Sequence, residues 1–202
     1  MEYPKIETLF ERDGNFKVTA KLRNQSYGII KTWQFTEKID GTNIRLIWND
    51  GKFSIGGRTG NAQLPADLIQ SLYEKIDINK FKEIFPETNV VVYGEGYGAG
   101  IQKGGAYSET KQFVVFDVLV DGKWWLIWEN TCNVSNKLSL KTVPFLGEYT
   151  LEEGISIARN GFTSKLAISN IAAEGIVGRT TETLYDKKFN RMIIKLKTKD
   201  FQ

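Results

Sequence analysis

The chain has 202 residues, 41% hydrophobic and 25% charged, with a formal net charge of +3, which is length enough for a sizeable core and a mildly basic balance that permits a polyanionic partner without demanding one. It contains no histidine, which excludes Ser-His-Asp and Cys-His machinery, histidine-ligated zinc and an imidazole base, so any chemistry falls to lysine, arginine, carboxylates and a hard metal ion. The single cysteine, Cys132, excludes an internal disulfide and suits a reducing cytoplasm, the charged start MEYPKIETLFERDG lacks the apolar run of a signal peptide, and no stretch approaches the ~20 apolar residues of a membrane helix.

Strand signals dominate the chain from its start. FKVTAKL (16–22) alternates, and FTEKIDGTNIRL (35–46) is strand-like but turns at Gly41. IRLIW (44–48) and KFSIGG (52–57) flank Asn49-Asp50-Gly51, a strong hairpin turn. LPADLIQSLYEKI (64–76) spaces leucine and isoleucine in steps of four after Pro65, which predicts a helix. A second short helix is predicted over 79–85, stopping before Pro86. NVVVYGE (89–95) reads as a buried strand ending at Glu95, followed by a mobile glycine-rich loop to residue 105. Gly94-x-Gly96-x-x-Ala99 superficially matches a dinucleotide fingerprint, but the continuation AGIQKGGAYSE has no helical period, so no helix N-terminus is there to hold pyrophosphate. QFVVFDVLV (112–120) and KWWLIWEN (123–130) read as a hairpin about Asp121-Gly122. Thr150-Leu-Glu-Glu153 is a capping box opening a helix that Gly161 ends. ISNIAA (168–173) is ambiguous, and EGIVGR (174–179) and MIIKLK (192–197) are strands. Strict β–α alternation is missing, so the fold class is α+β with mostly antiparallel sheets.

Several residues stand out chemically. Lys38 lies between Glu37 and Asp40. A free lysine titrates near ~10.4, so roughly one in a few thousand is neutral at pH 7. A nucleophilic lysine therefore needs burial or nearby cations, and adjacent carboxylates work against it. An ordinary salt-bridged turn is the other reading of KxDG. Lys195 and Lys197 are two apart on a strand, so both project from one face while Ile194 and Leu196 take the other. Such a pair suits a polyphosphate, or forms a plain solvated face. Glu95 ends an apolar strand, and Glu174 is flanked by alanine and glycine, with the space a Mg²⁺ or ribose ligand needs. Phe116 beside Asp117 is either a base-stacking ring or a core aromatic, and Arg58 sits on a glycine-flanked turn fit for phosphate.

In chain order these are EKxDG, GGRT, GE, FDV, EGIV and KLK. That series, from about residue 30 to residue 197, resembles the covalent nucleotidyltransferases, the superfamily of ATP-dependent polynucleotide ligases and mRNA capping enzymes, and in particular the RNA ligase 2-like group. The resemblance implies one nucleotidyltransferase (adenylation) domain over 1–202, mostly antiparallel sheets and a few helices around a nucleotide cleft. It implies an ATP- and Mg²⁺- (or Mn²⁺-) dependent RNA ligase, acting in RNA repair or processing. Lys38 would attack the α-phosphate of ATP to give lysyl-AMP. Glu37 would stand at the adenine-contacting position and Asn43 would match the asparagine of KxxGTN. Arg58 would meet phosphate or the incoming strand end, and Glu95 would bind ribose and metal. Phe116 would stack on adenine with Val177 as the opposite wall. Glu174 would position the metal, and Lys195 and Lys197 would hold the phosphates. RNA with 5′-phosphate and 3′-hydroxyl ends is the implied substrate. DNA ligases and capping enzymes usually carry arginine where Asn43 stands, which favours RNA over the alternative of a minimal DNA ligase, and the intact lysines and glutamates weigh against the alternative of a nucleotide- or RNA-binding module without turnover. Five residues follow Lys197, so no C-terminal OB-fold or helical domain is expected. A monomer, with a separate protein supplying part of the nucleic-acid grip, is the implied state.

Overall fold

The computed structural model describes residues 1–102 and 104–202. Lys103, inside the predicted glycine-rich loop, lies outside the described residues. In chain order the elements are β1 (Glu7–Thr8), β2 (Phe10–Arg12), β3 (Val18–Leu22), β4 (Trp33–Lys38), β5 (Thr42–Asn49), β6 (Lys52–Gly57), α1 (Ala66–Lys75), α2 (Ile78–Ile84), β7 (Val90–Tyr97), β8 (Gln112–Val120), β9 (Trp124–Trp125), α3 (Trp128–Lys137), β10 (Phe145–Tyr149), α4 (Leu151–Asn160), β11 (Gly175–Thr180) and β12 (Ile193–Lys197). This is an α+β fold. The chain divides into two compact units, one of residues 1–4 and 40–143, the other of residues 5–39 and 144–202.

The first unit is a five-stranded antiparallel sheet in the order β6-β5-β7-β8-β9. One residue in two along β5 and β7 is apolar on the same side, and Ile44, Leu46, Trp48, Val90 and Val92 form a core with Leu68, Leu72 and Phe81 from α1 and α2. The Asn49-Asp50-Gly51 turn closes the β5–β6 hairpin with Asp50 and Gly51 both at positive φ, as this turn chemistry demands. The Asp121-Gly122 turn also forms, but the strand expected over 123–130 is only β9. From Trp128 the chain winds into α3 instead, burying Trp128, Thr131 and Ser135. Among the described residues between β7 and β8 there is no α-helix, only a 3-10 turn at Gly104–Ala106.

The second unit holds a five-stranded sheet in the order β1-β12-β11-β4-β10, parallel between β1 and β12 and antiparallel elsewhere, and the separate hairpin β2–β3. Trp33, Phe35, Ile176, Ile194 and Leu196 bury one sheet face with Leu151 and Ala158 of α4. The Thr150–Glu153 capping box starts α4, and Gly161, at φ 69°, ends it. The ambiguous 168–173 stretch makes a single bridge, Ala172 to Thr163. Among the described residues no helix is long and apolar enough to cross a membrane.

Candidate functional site

The second unit gathers the lysines. Strand register places Gly175 of β11 directly between Lys38 of β4 and Lys197 of β12, and Val177 between Thr36 and Lys195. Directly opposed residues of antiparallel strands share a face, so Lys38, Lys195, Lys197 and Val177 lie on one face and the apolar core on the other. Glu174, just before β11, joins the row. Its Oε2 accepts from Lys38 Nζ at 2.5 Å and its Oε1 pairs with Lys197 Nζ at 2.6 Å. Gly175 makes this approach possible, since a Cβ there would stand 2.0 Å from the Leu196 carbonyl oxygen and 2.8 Å from Lys197 Cα. Lys38 is sheltered, its side chain 23% exposed. Glu37 alternates to the core face, opposite Ile176. It is 1% exposed, accepts from the Ser164 hydroxyl, and accepts from the Lys165 amide at 2.8 Å. Its side chain is thus engaged on the face away from Lys38. Ser164 was not legible in the sequence, where SKLA carries no motif.

Charge in this row is strained. Burial alone would raise the Glu174 carboxyl, but the ammonium groups of Lys38 and Lys197 outweigh it and hold it below the usual range. Burial, with Lys38 and Lys197 adding to it, pushes Lys195 down. Glu37 is pushed up by burial against the opposing bonds from Ser164 and Lys165. A depressed carboxylate contributes stability that is complete above its unfolded value and lost as pH falls through the lower folded value. Urea denaturation at stepped pH should therefore show stability falling below the ordinary glutamate range. In Glu174→Gln that part of the acid slope should be missing, and an unchanged slope would contradict the assignment. For Lys195 the sign is opposite in effect: its charge is a standing cost near neutrality, relieved as pH rises through a folded value below that of ordinary lysine.

The first unit carries the other four candidates. Asn43 of β5 and Glu95 of β7 are directly paired across the sheet. The Asn43 side-chain oxygen is buried with no hydrogen-bond partner among the described residues. Gly41, entering β5, permits this pairing, because a Cβ there would fall 2.3 Å from the Gly96 carbonyl oxygen and 2.8 Å from Glu95 Cγ. Phe116 occupies the bulge in the β7–β8 ladder, where Tyr93 pairs with Asp117 and Gly94 with Val115, so its ring is turned out of the regular alternation. It is half-buried and meets Tyr3 edge-on at 5.1 Å. Arg58 is exposed on the bend after β6.

That bend is clamped by a residue the sequence reading passed over. Arg45, 7% exposed, donates through Nε to the Gly57 carbonyl at 2.5 Å, through Nη2 to Thr59 at 3.1 Å and through Nη1 to Met1 at 3.2 Å. The Tyr3 amide donates to the Arg58 carbonyl at 3.3 Å, and the Gly60 amide to Glu2 at 2.7 Å. The carbonyls of 57, 58 and 59 are thus all held. A lone arginine inside IRLIW was the available signal. Arg45→Met should cost about 3 kcal/mol, from three charge-assisted bonds lost and carbonyls left short of donors, read from the urea midpoint of unfolding. Arg45→Lys should recover only part of it, lacking the fork.

A family model for RNA ligase matches residues 31–197. The chain belongs to the RNA ligase family. Solved structures of a Naegleria gruberi RNA ligase share its fold. A lysine-to-alanine variant with ATP and Mn gives a TM-score of 0.67 at 17% identity, covering 98% of this chain and 62% of that one. The form with PPi gives 0.67 at 18%, covering 98% and 62%. A lysine-to-methionine variant with AMP and Mn gives 0.67 at 19%, covering 98% and 60%. This RNA ligase family chain therefore spans about three fifths of the length of those proteins. Its donor set suits a divalent cation of the magnesium type, which takes one or two carboxylates and completes its shell with water and substrate phosphate. Glu174, in the second unit, is a carboxylate of that kind. Among the described residues no three acidic, cysteine or histidine side chains cluster into a metal site of their own.

Proposed function

We propose that this chain is an ATP-dependent RNA ligase working through a covalent lysyl-AMP. The observation that carries the reading is the row across β4, β11 and β12, in which Lys38 and Lys197 share the Glu174 carboxylate and Lys195 stands beside them. In the resting protein the Lys38 amine is stored as an ion pair. Once its proton has passed to solvent, Nζ attacks the α-phosphorus of ATP. A nitrogen–phosphorus bond forms, the bond from the α-phosphorus to the bridging oxygen breaks, and pyrophosphate leaves. Lys195 and Lys197 would bind the β- and γ-phosphates and neutralise the leaving charge, the kind of preorganised electrostatic help that dominates phosphoryl chemistry. The cost that burial imposes on charged Lys195 makes an anion beside it more favourable. A Mg²⁺ or Mn²⁺ ion held by Glu174 would neutralise phosphate charge and weaken the carboxylate's hold on the lysine proton.

The residues of the first unit carry nucleotide- and RNA-contacting roles by resemblance to the family. Glu95 would bind the ribose and Asn43, with its unpartnered oxygen, would accept a bond from bound substrate. Phe116 would stack on a base. The Glu37 carboxylate would act by fixing the end of β4 that presents Lys38. Arg58 would meet the 5′-phosphate. AMP then passes from Lys38 to that phosphate, re-forming the amine, and a 3′-hydroxyl displaces AMP to make the new phosphodiester. Intact-mass measurement after incubation with ATP and Mg²⁺ should show a gain of one AMP. Folded protein that never gains it would end this reading. Sealing of nicked RNA should exceed sealing of nicked DNA.

A further inference from the structure

Two hairpin tips of the second unit are built to the same plan. In Asp13-Gly14-Asn15-Phe16-Lys17 the Asp13 carboxylate accepts from the amides of Asn15 and Lys17, both at 2.9 Å. The Phe16 amide donates to the Asp13 carbonyl at 3.0 Å, and the Asp13 amide to the Lys17 carbonyl at 2.9 Å. In Asp186-Lys187-Lys188-Phe189-Asn190 the Asp186 carboxylate accepts from the amides of Lys188 at 2.8 Å and Asn190 at 2.9 Å. The Phe189 amide donates to the Asp186 carbonyl at 3.0 Å, and the Asp186 amide to the Asn190 carbonyl at 2.8 Å. Both phenylalanines adopt left-handed backbone, φ 63° and 58°. That position of a tight hairpin belongs to glycine or asparagine, and a bulky residue there is strained. Both rings also stand in solvent, 79% and 86% exposed. Each phenylalanine thus carries a backbone cost that no burial of its ring offsets, twice in one unit. Lysines flank both: Lys17 at the first tip, Lys187 and Lys188 at the second, all exposed. Arg12 steadies the first tip, donating to the Phe16 carbonyl at 2.7 Å while gripping Asp200 at 2.8 Å.

We propose that the two tips are contacts for a single-stranded stretch of RNA, with Phe16 and Phe189 as stacking platforms for bases and Lys17, Lys187 and Lys188 on the phosphates. A strand of nucleic acid matches this pairing of flat apolar face and cation, because every base offers a π-face and every nucleotide a negative charge. An apolar protein groove or a lipid tail region would have to desolvate the lysines beside each ring. The choice of RNA rests on the ligase reading above.

The test is fluorescence anisotropy of a labelled single-stranded RNA on the full chain. Phe16→Gly and Phe189→Gly should each weaken binding about tenfold, while their thermal midpoints stay level or rise, since glycine suits the backbone there. Phe189→Tyr should keep the affinity and Phe189→Leu should lose it. Lys187→Gln and Lys188→Gln should each reduce the salt dependence by about one unit of slope. Unchanged RNA affinity in the double glycine variant overturns the proposal. Full affinity in the leucine variant overturns it too, pointing to apolar docking on a protein or membrane instead. Self-adenylylation should be normal in all of these variants. A wild-type chain that takes no AMP defeats the ligase reading, and the RNA affinities still decide on the tips.

Discussion

Lys38→Ala should fold, retain nucleotide binding and take up no AMP, a loss of about 10³-fold or more in adduct formation. The reason is positional. Lys38 is the lysine at the end of β4, opposite Gly175 and fixed by Glu174 at 2.5 Å. Lys195 and Lys197 are held on a different strand, Lys197 by the other oxygen of the same carboxylate, so neither can take the vacated place without leaving its own. Lys38→Arg should fail equally, because a guanidinium does not lose its proton near neutrality. Stability should change little, by roughly 0–1 kcal/mol, as Glu174 keeps Lys197 and the lost pair is partly solvated. Intact mass and a urea titration on the same preparation separate the two effects. An adduct of undiminished yield on Lys38→Ala would place the nucleophile elsewhere.

Glu174→Gln should slow adenylylation by about 100-fold, the scale of losing one preorganised charged group. One carboxylate positions two amines here, and the amide keeps its size but offers a single acceptor oxygen and no charge. Lys38, Lys195 and Lys197 would then repel one another without the anion between them. Stability should fall by about 1–2 kcal/mol, less than for a fully buried pair because all three side chains keep some solvent contact. Single-turnover rates at saturating ATP measure the first effect, and the urea midpoint the second. If Glu174→Asp restores the rate but not the stability, charge matters more than reach; the reverse would make Glu174 a scaffold alone.

Much of this was legible residue by residue. Asn49-Asp50-Gly51, Asp121-Gly122 and the Thr150–Glu153 box are local devices whose chemistry works within a few residues, so they read correctly without tertiary information. The alternation Ile194-Lys195-Leu196-Lys197 likewise gave the lysine face. What failed was local signal overruled from a distance. The aromatic run KWWLIWEN suggested a strand, yet α3 forms from Asn, Thr, Cys, Val and Ser, poor helix formers. Buried Trp128 and Thr131 stabilise it, and the Ser135 hydroxyl bonds back to the Thr131 carbonyl at 2.7 Å. β10 escaped notice because its register with β4 shifts between Phe145 and Gly147, which interrupts the period-two alternation, with Gly147 at φ 141°. Ser164 and Arg45 act on groups brought near only by folding, and a sequence gives no coordinates for that.

The separation along the chain of Lys38 and Glu174, 136 positions, has a consequence for biosynthesis. β4 leaves the ribosome well before its neighbours β11 and β12, and pairings so distant in sequence close slowly. A nascent polypeptide therefore exposes Lys38 without its Glu174 partner until 136 further residues have been made. The lysine row of β4, β11 and β12 comes into being only when all three strands have paired.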